Sequence, residues 1–444
     1  MFIVRSSILI VILSFAMVAN AQSGNYCIEN RFSETPMFDS SQIVVQKNVV
    51  YSVPKKWPGT GVDTLKLDMY YPNSTADALA SRPCVVFFYG GAWLLGSKED
   101  AGIKQKCFDW ARRGFVVAAP NYRLGWNCAA TDLFAVCVLC QGVYYNLNTA
   151  VYRGAQDGKA AMRWIVNNKN TYKIDTSALF VGGESAGSYN ALHTAYWDHK
   201  YAKKVFNGTP YSILGSIDSA GAYPGTPFRI KAVINACGAV VSDTGLHFKR
   251  IPMVAFHDQA DCVVPYQTNQ TLNCCATSFF WAKGSKDIYT ALTNAGIPTE
   301  LHTVPGVTQQ HCSYPSATLV KESSCFVKKI LCGLSPSGST NFPAVPAISC
   351  NSLKSLRMQV YDATDIVVYP VPASDKIRVS GNSLNRILKI NLMEMHGRII
   401  SSFEISKGLE KYEINIADLP NGIYDLQFVD EIGYRKAKRF VVLR

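Results

Sequence analysis

The sequence predicts an α/β domain, a mostly parallel sheet with flanking helices, followed by a small C-terminal antiparallel β-sandwich. Three observations carry this expectation. Between residues 63 and 332, short and nearly continuous apolar runs alternate with segments of helical spacing, the pattern of a sheet covered on both faces. Residues 333–348 are rich in Pro, Ser and Gly, and no cysteine follows Cys350. From residue 365 onward, about seven strand-like pieces recur at sandwich-like spacing, punctuated by Asn, Asp, Gly and Pro.

The elements follow in order. Arg5, an apolar run over 8–18 and Ala19-Asn20-Ala21 form the positive, apolar and small-residue regions of a secretory signal peptide, assigned to residues 1–21. The apolar run falls well short of the ~20 residues that a membrane-spanning helix needs. Buried strands are expected over 84–89, 115–119, 178–182, 230–235 and 252–257, with a crossover helix over 157–168. These belong to a domain over 22–332. A linker is expected over 333–364, and a sandwich over 365–444, with strands at 366–369, 376–379, 387–392, 412–416, 423–428 and 439–443.

Composition sets limits. The chain has 444 residues, 48% of them apolar and 17% charged, which excludes a mostly disordered chain and a coiled coil. Its net charge of +12 favours contact with anionic surfaces, but no Lys/Arg stripe interleaved with aromatics points to nucleic acid. No run after the leader has 18 consecutive apolar residues, so no membrane span is expected in the mature chain. The fourteen cysteines of an exported chain are expected to form disulfides. Cys137 and Cys140 lack a second pair at zinc spacing, so neither a metal nor a cofactor is implied.

The chemistry centres on Gly183-Glu-Ser-Ala-Gly187. This G-x-S-x-G follows an expected strand and precedes a helix-compatible stretch, the context of a nucleophile elbow. Ser185 then sits on a strained turn, flanked by small residues, at a helix N-terminus that favours developing negative charge. A serine nucleophile needs a base, and the base needs an orienting carboxylate; in this elbow arrangement they follow in the order Ser, Asp or Glu, His.

Elimination narrows the seven histidines. His193 and His199 are too close to the serine, His247 and His257 precede the best acid, and His396 lies in the sandwich. His302 lies in a strand pattern that fixes its side chain on one sheet face. His311 lies in a polar loop after that strand, where the catalytic groups of open α/β sheets gather, and is the preferred base. Asp261, in a loop just past the strand ending near His257, is the preferred acid; Asp258 and the more distant Asp243 are rivals, and each has a loop-capping alternative. Oxyanion donors are expected from backbone N–H groups of Gly90 and Gly91, after the first central strand, and of Ala186, after the nucleophile. Cys262 and Cys312 each follow a candidate catalytic residue, so a Cys262–Cys312 disulfide is expected to staple the acid loop to the histidine loop.

With these residues in place, the chain resembles the α/β-hydrolase superfamily in its carboxylesterase and feruloyl-esterase-like branches. The resemblance rests on residues 89–97 (Tyr-Gly-Gly-Ala-Trp-Leu-Leu-Gly-Ser), 120–125 (Pro-Asn-Tyr-Arg-Leu-Gly), the helix at Asp157 and the elbow, and it spans about 63–332. It implies a Ser185–His311–Asp261 triad hydrolysing a carboxylic ester through an acyl-enzyme, on feruloyl or acetyl esters of polysaccharides or on a smaller ester. Three features depart from it: Tyr89 stands where His usually opens the oxyanion motif, the acid is Asp rather than the Glu of type-B carboxylesterases, and a Cys-rich insertion occupies 127–149. That insertion and the aromatic-rich segment 271–285 are candidates either to roof the pocket or to pack as clipped loops.

The last 80 or so residues resemble the C-terminal sorting domain of the type IX secretion system of Bacteroidetes, through segments 368–375, 395–398 and 419–424. This implies contact with the secretion machinery, passage across the outer membrane, and then release or anchoring at the cell surface. A carbohydrate-binding module is the rival, but the segment has no Trp to form an aromatic platform. For the whole chain, the alternatives to an esterase are a serine peptidase on the same fold and a non-catalytic hydrolase-like surface binding protein.

Overall fold

The apolar runs become the interior strands of one nine-stranded sheet. The computed structural model describes residues 26–27, 30–57, 59–126, 144–242, 244–274, 279–308, 310–342, 350, 366–382, 384, 387–394, 398–406, 408–430 and 435–444. The leader, most of the Cys-rich insertion including Cys137 and Cys140, and Asp243 lie outside them.

The strands are β1 Ile43–Ser52, β2 Leu65–Pro72, β3 Arg82–Phe88, β4 Val116–Pro120, β5 Ile174–Glu184, β6 Ile230–Ala236, β7 Ala239–Val240, β8 Met253–Asp258, β9 Asn269–Gln270, β10 Trp281–Gly284, β11 Thr299–Val304 and β12 Gly338–Asn341. The large sheet runs β1-β2-β4-β3-β5-β6-β8-β11-β12. Pairing from β4 to β12 is parallel, whereas β1–β2 and β2–β4 are antiparallel. Every residue of β3, β4 and β8 is buried, as their near-continuous apolar character requires. Strands β7, β10 and β9 form a small antiparallel sheet.

Five helices matter for the site: α1 Ala101–Arg112, α2 Tyr144–Asn167, α3 Ala186–Tyr196, α4 Ser285–Asn294 and α5 Ser316–Leu331. Helix α2 packs on α3, and α1 on α5, where Trp110 Nε1 donates to Ser323 Oγ at 3.2 Å. Helix α3 is buried along its whole length, as befits the centre of the fold.

Within the stretch read from the sequence as a linker, β12 extends the large sheet beside β11, and Cys350 is joined to Cys325 of α5. Among its described residues, the C-terminal region has seven strands: β13 Val367–Tyr369, β14 Lys376–Ser380, β15 Ile387–Glu394, β16 Ile399–Glu404, β17 Lys411–Asn415, β18 Gly422–Asp430 and β19 Arg435–Val442. They form antiparallel sheets β13-β14-β17 and β16-β15-β18-β19. Alternating inward residues of both sheets, among them Ile377, Val379 and Ile414 from one and Ile390, Leu426 and Phe440 from the other, share one core.

The disulfides correct one expectation. Cys262 pairs with Cys274 and Cys312 with Cys237, so no Cys262–Cys312 staple forms. Adjacency in sequence to two residues in contact does not bring their neighbours together. Asp261 and His311 point at each other, and the next residue along each chain leaves in a different direction. Cys312 meets Cys237 just past the end of β6, whereas Cys262 closes a short loop onto Cys274, 12 residues along the chain. Cys27–Cys332 and Cys325–Cys350 complete the bridges among the described residues, and Cys84 and Cys107 are buried thiols there.

Candidate active site

The site is assembled where β5, β8 and β11 end. Strand β5 stops at Glu184 and α3 begins at Ala186, which leaves Ser185 at φ +53°, ψ −123° on the intervening turn. For a residue with a Cβ this backbone is strained. The flanking residues must be glycine because the turn is crowded. A Cβ on Gly183 would lie 2.3 Å from the Gly187 backbone, and one on Gly187 would lie 2.3 Å from the Phe88 carbonyl oxygen.

The structure brings the three predicted side chains together. His311 Nε2 lies 2.8 Å from Ser185 Oγ, and His311 Nδ1 lies 2.7 Å from Asp261 Oδ2. An ionised carboxylate only accepts, so Nδ1 carries the proton and Nε2 is left to accept from the serine hydroxyl. The other oxygen of Asp261 accepts from the amides of Val263 and Val264 at 2.9 and 3.0 Å. Burial alone would raise the pKa of this carboxyl, but hydrogen bonds from His257 and His311 outweigh it and hold the value down at about 2.

The rival residues have other tasks. The Asp258 carboxylate accepts from the amide of Ser313 at 2.9 Å and from its hydroxyl, which ties the end of β8 to the loop carrying His311. His302 lies on β11, stacks on Phe256 and bonds Thr340 of β12 at 2.9 Å. His193 is fully buried, which pushes its pKa down to about 3, and its Nε2 accepts from the Val241 amide.

His257 is the residue that sequence reasoning passed over, since it was considered only as a base. Its Nε2 lies 3.1 Å from the Val264 carbonyl and 3.3 Å from Asp261 Oδ2. Both are acceptors, so this nitrogen carries a proton. Its Nδ1 lies 2.7 Å from Ser285 Oγ, which accepts from Asn235 Nδ2 at 3.0 Å; Asn235 Oδ1 in turn accepts from Ser188 Oγ at 2.6 Å. A buried polar chain thus runs from the first turn of α3, behind the triad, to the acid. The signal available in the sequence was the spacing His257-x-x-x-Asp261 at the end of a buried strand.

The expected oxyanion residues border the nucleophile. A Cβ on Gly90 would sit 3.1 Å from Ser185 Cβ. Gly91 has φ +118°, and its carbonyl accepts from the amides of Leu94 and Leu95, both at 2.9 Å, in a tight turn. Ala186 is the first residue of α3, so its amide lies at the positive end of the helix. Gly90, Gly91, Leu94, Leu95, Ser185 and His311 line a cleft of about 420 Å³. One wall carries an ion pair, Lys106 Nζ to Glu184 Oε2 at 2.7 Å, directly beside the serine.

The aromatic segment does not roof this cleft with its described residues. Phe279 packs on Trp126, and Phe280 packs on Tyr189 and Phe206. Among the described residues, two groups of Cys, His and Glu side chains lie at metal-ligand spacing, but both include disulfide sulfurs, which lack thiolate character. No helix among the described residues is long and apolar enough to cross a membrane.

Parts of the chain are similar to known proteins. Residues 67–135 match the family model described as BD-FAE, and residues 367–443 match the secretion system C-terminal sorting domain. The neuroligin-like protein glit-1 of Caenorhabditis elegans is 32% identical over 126 residues, 28% of this chain and 15% of that protein. Bile salt-activated lipase of Mus musculus is 29% identical over 131 residues, 28% of this chain and 20% of that protein. The chain therefore spans a fifth or less of the length of these two relatives. Among solved structures, a propionate-bound esterase from Thermogutta terrifontis is 20% identical, with a TM-score of 0.43, covering 68% of this chain and 98% of that one. With Ser185 on a strand-to-helix turn at the end of a central parallel strand, the chain has an α/β fold with C-terminal antiparallel sheets, is similar over residues 67–135 to the BD-FAE family and matches the secretion system C-terminal sorting domain over residues 367–443.

Proposed function

We propose that this protein is a secreted or cell-surface serine hydrolase of carboxylic esters, with Ser185 as nucleophile, His311 as base and Asp261 as orienting acid. The observation that carries the reading is the unbroken hydrogen-bonded sequence Ser185 Oγ, His311 Nε2, His311 Nδ1, Asp261 Oδ2, with both steps under 3 Å. Ser185 Oγ attacks the ester carbonyl carbon while His311 Nε2 takes its proton. The tetrahedral oxyanion accepts from the amides of Gly91 and Ala186, with Gly90 alongside. His311 then protonates the departing alcohol, leaving an acyl-serine. Water attacks it with His311 again as base, and the acid departs. Buried Asp261 holds the imidazole in the required tautomer and stabilises the imidazolium.

The substrate class is a feruloyl or acetyl ester carried on a polysaccharide or on a smaller alcohol. Supporting it are the feruloyl-esterase-like motifs around Tyr89 and the elbow and the polar wall formed by Lys106 and Glu184, which suits a hydroxyl-bearing alcohol portion. Residues 1–21 serve as the signal peptide, 22–332 as the catalytic unit, 333–364 as the connection and 365–444 as the sorting domain, recognised by the secretion machinery.

Hydrolysis of p-nitrophenyl acyl esters and methyl ferulate by the mature protein and by Ser185→Ala tests the reading. The expected loss in the variant is about 10⁶-fold, as when a triad nucleophile is removed elsewhere. Equal turnover by both proteins, or none by the wild type, moves the assignment to a peptidase or a binding scaffold.

A further inference from the structure

A cavity larger than the catalytic cleft lies elsewhere among the described residues. It measures about 910 Å³ and opens at the opposite ends of the strands, lined by Ser177 near the start of β5, Ile230 at the start of β6 and Pro252 just before β8. The eight-residue rise along β5 from Ser177 to Ser185 puts it about 25 Å from the nucleophile.

Its charge is unbalanced. Lys159 and Arg163, one turn apart on α2, are 7% and 2% exposed and both line it. They share one oxygen of a single half-exposed carboxylate, Asp218 Oδ1, at 3.2 and 3.5 Å. Arg163 also donates to the Ala220 carbonyl, but its buried Nε has no hydrogen-bond partner among the described residues. Thr194 Oγ1 and Trp197 Nε1, from two other lining residues, are likewise buried without a partner. The rim adds the exposed cations Arg229, Lys231, Lys249 and Arg250, and Asp218 is the one carboxylate among the lining residues. Burial, opposed by Asp218 but reinforced by the charges of Lys249 and Arg163, lowers the pKa of the Lys159 ammonium.

Two buried cations facing half a carboxylate each, with further unpaired donors, form an arrangement that an anion stabilises. The volume far exceeds that of an inorganic oxyanion and falls in the range of organic-ligand sites. Phe228, whose ring lies 5.9 Å from Lys159 Nζ, supplies an apolar face, and Ser177 and Thr226 supply hydroxyls. We propose that this cavity is a second, non-catalytic binding site for an acidic oligosaccharide, with one uronate carboxylate between Lys159 and Arg163 and the chain continuing along the cationic rim.

Isothermal titration of the full chain with hexagalacturonate, a neutral hexasaccharide and inorganic phosphate tests this. Saturable binding of hexagalacturonate is expected, at least tenfold tighter than either other probe and weakened at least tenfold in Lys159→Met and Arg163→Gln. Should those buried substitutions prevent folding, the exposed pair Lys249→Glu and Arg250→Glu is expected to weaken binding equally with the melting temperature kept. Saturating hexagalacturonate is expected to leave p-nitrophenyl ester turnover unchanged, because the cavity is remote from Ser185. Equal binding of the neutral sugar, binding of phosphate alone, competition with the ester, or undiminished binding in every folded variant would each overturn the proposal. The binding titrations do not depend on Ser185, so a failure of the esterase assignment leaves them intact.

Discussion

His257 Nε2 lies 3.3 Å from the same Asp261 oxygen that His311 Nδ1 engages at 2.7 Å. The carboxylate of Asp261, the proposed acid, is therefore held from two sides, by His311 and by a buried histidine whose other nitrogen is anchored through Ser285 and Asn235 to α3. A hydrogen bond to a charged group contributes about 1.5–3 kcal/mol. His257→Leu is expected to lower kcat by about tenfold with little change in KM, because the bond positions Asp261 and touches no substrate. His257→Gln, which keeps a donor, is expected to recover most of the loss. Equal kcat in the Leu variant and the wild type would show that two backbone amides and His311 suffice to hold the acid.

The depressed pKa of Asp261 has a consequence for acid stability. A carboxyl at about 2 in the folded protein and near 3.8 otherwise contributes about 2 kcal/mol, fully present above pH 3.8. That contribution is lost as pH falls through 3.8 toward 2, because the folded state then binds its proton later than the unfolded state. Urea unfolding across this window is expected to show a steeper decline for the wild type than for Asp261→Asn.

Gly91 offers a test of the oxyanion assignment. At φ +118°, a Cβ there would meet the Leu95 carbonyl oxygen at 2.3 Å, so Gly91→Ala must displace the turn that presents its amide. A fall in kcat of about 10²–10³, the usual effect of losing one oxyanion donor, is expected without a matching rise in KM. Unaltered kcat in a folded Gly91→Ala protein would assign the donor elsewhere.

The Cys237–Cys312 bridge fastens the residue after His311 to the end of β6 across a separation of 75 residues. Closing a loop of that length stabilises by about 4 kcal/mol in the chain-entropy treatment. Cys237→Ser with Cys312→Ser is expected to lower the unfolding free energy by roughly 2–4 kcal/mol and to reduce kcat, whereas Cys262→Ser with Cys274→Ser, on a 12-residue separation, is expected to cost less. Thermal melts and turnover of the two double variants distinguish them.

The sequence by itself determined the elements whose cause is local. Short apolar runs alternating with segments of helical spacing mark buried strands of a parallel sheet, and Gly183 and Gly187 mark a turn too tight for a Cβ. The order Ser185, Asp261, His311 follows from which loops leave the same end of a parallel sheet, and the structure brings those three side chains together. The two C-terminal sheets were legible in the alternation of Ile377, Val379, Leu426 and Phe428 with polar neighbours. What only the tertiary structure decided are relations between distant segments. β12 is a short polar edge strand without an apolar pattern, so its pairing with β11 left no periodic trace. The partners of Cys262 and Cys312 depend on the directions in which two loops leave the triad, which sequence adjacency does not encode. The convergence of Lys159 and Arg163 on Asp218, and of His257 on Asp261, is likewise a matter of packing. Charge and hydrogen-bonding capacity are properties of a residue, but the groups that must satisfy them are chosen by the fold.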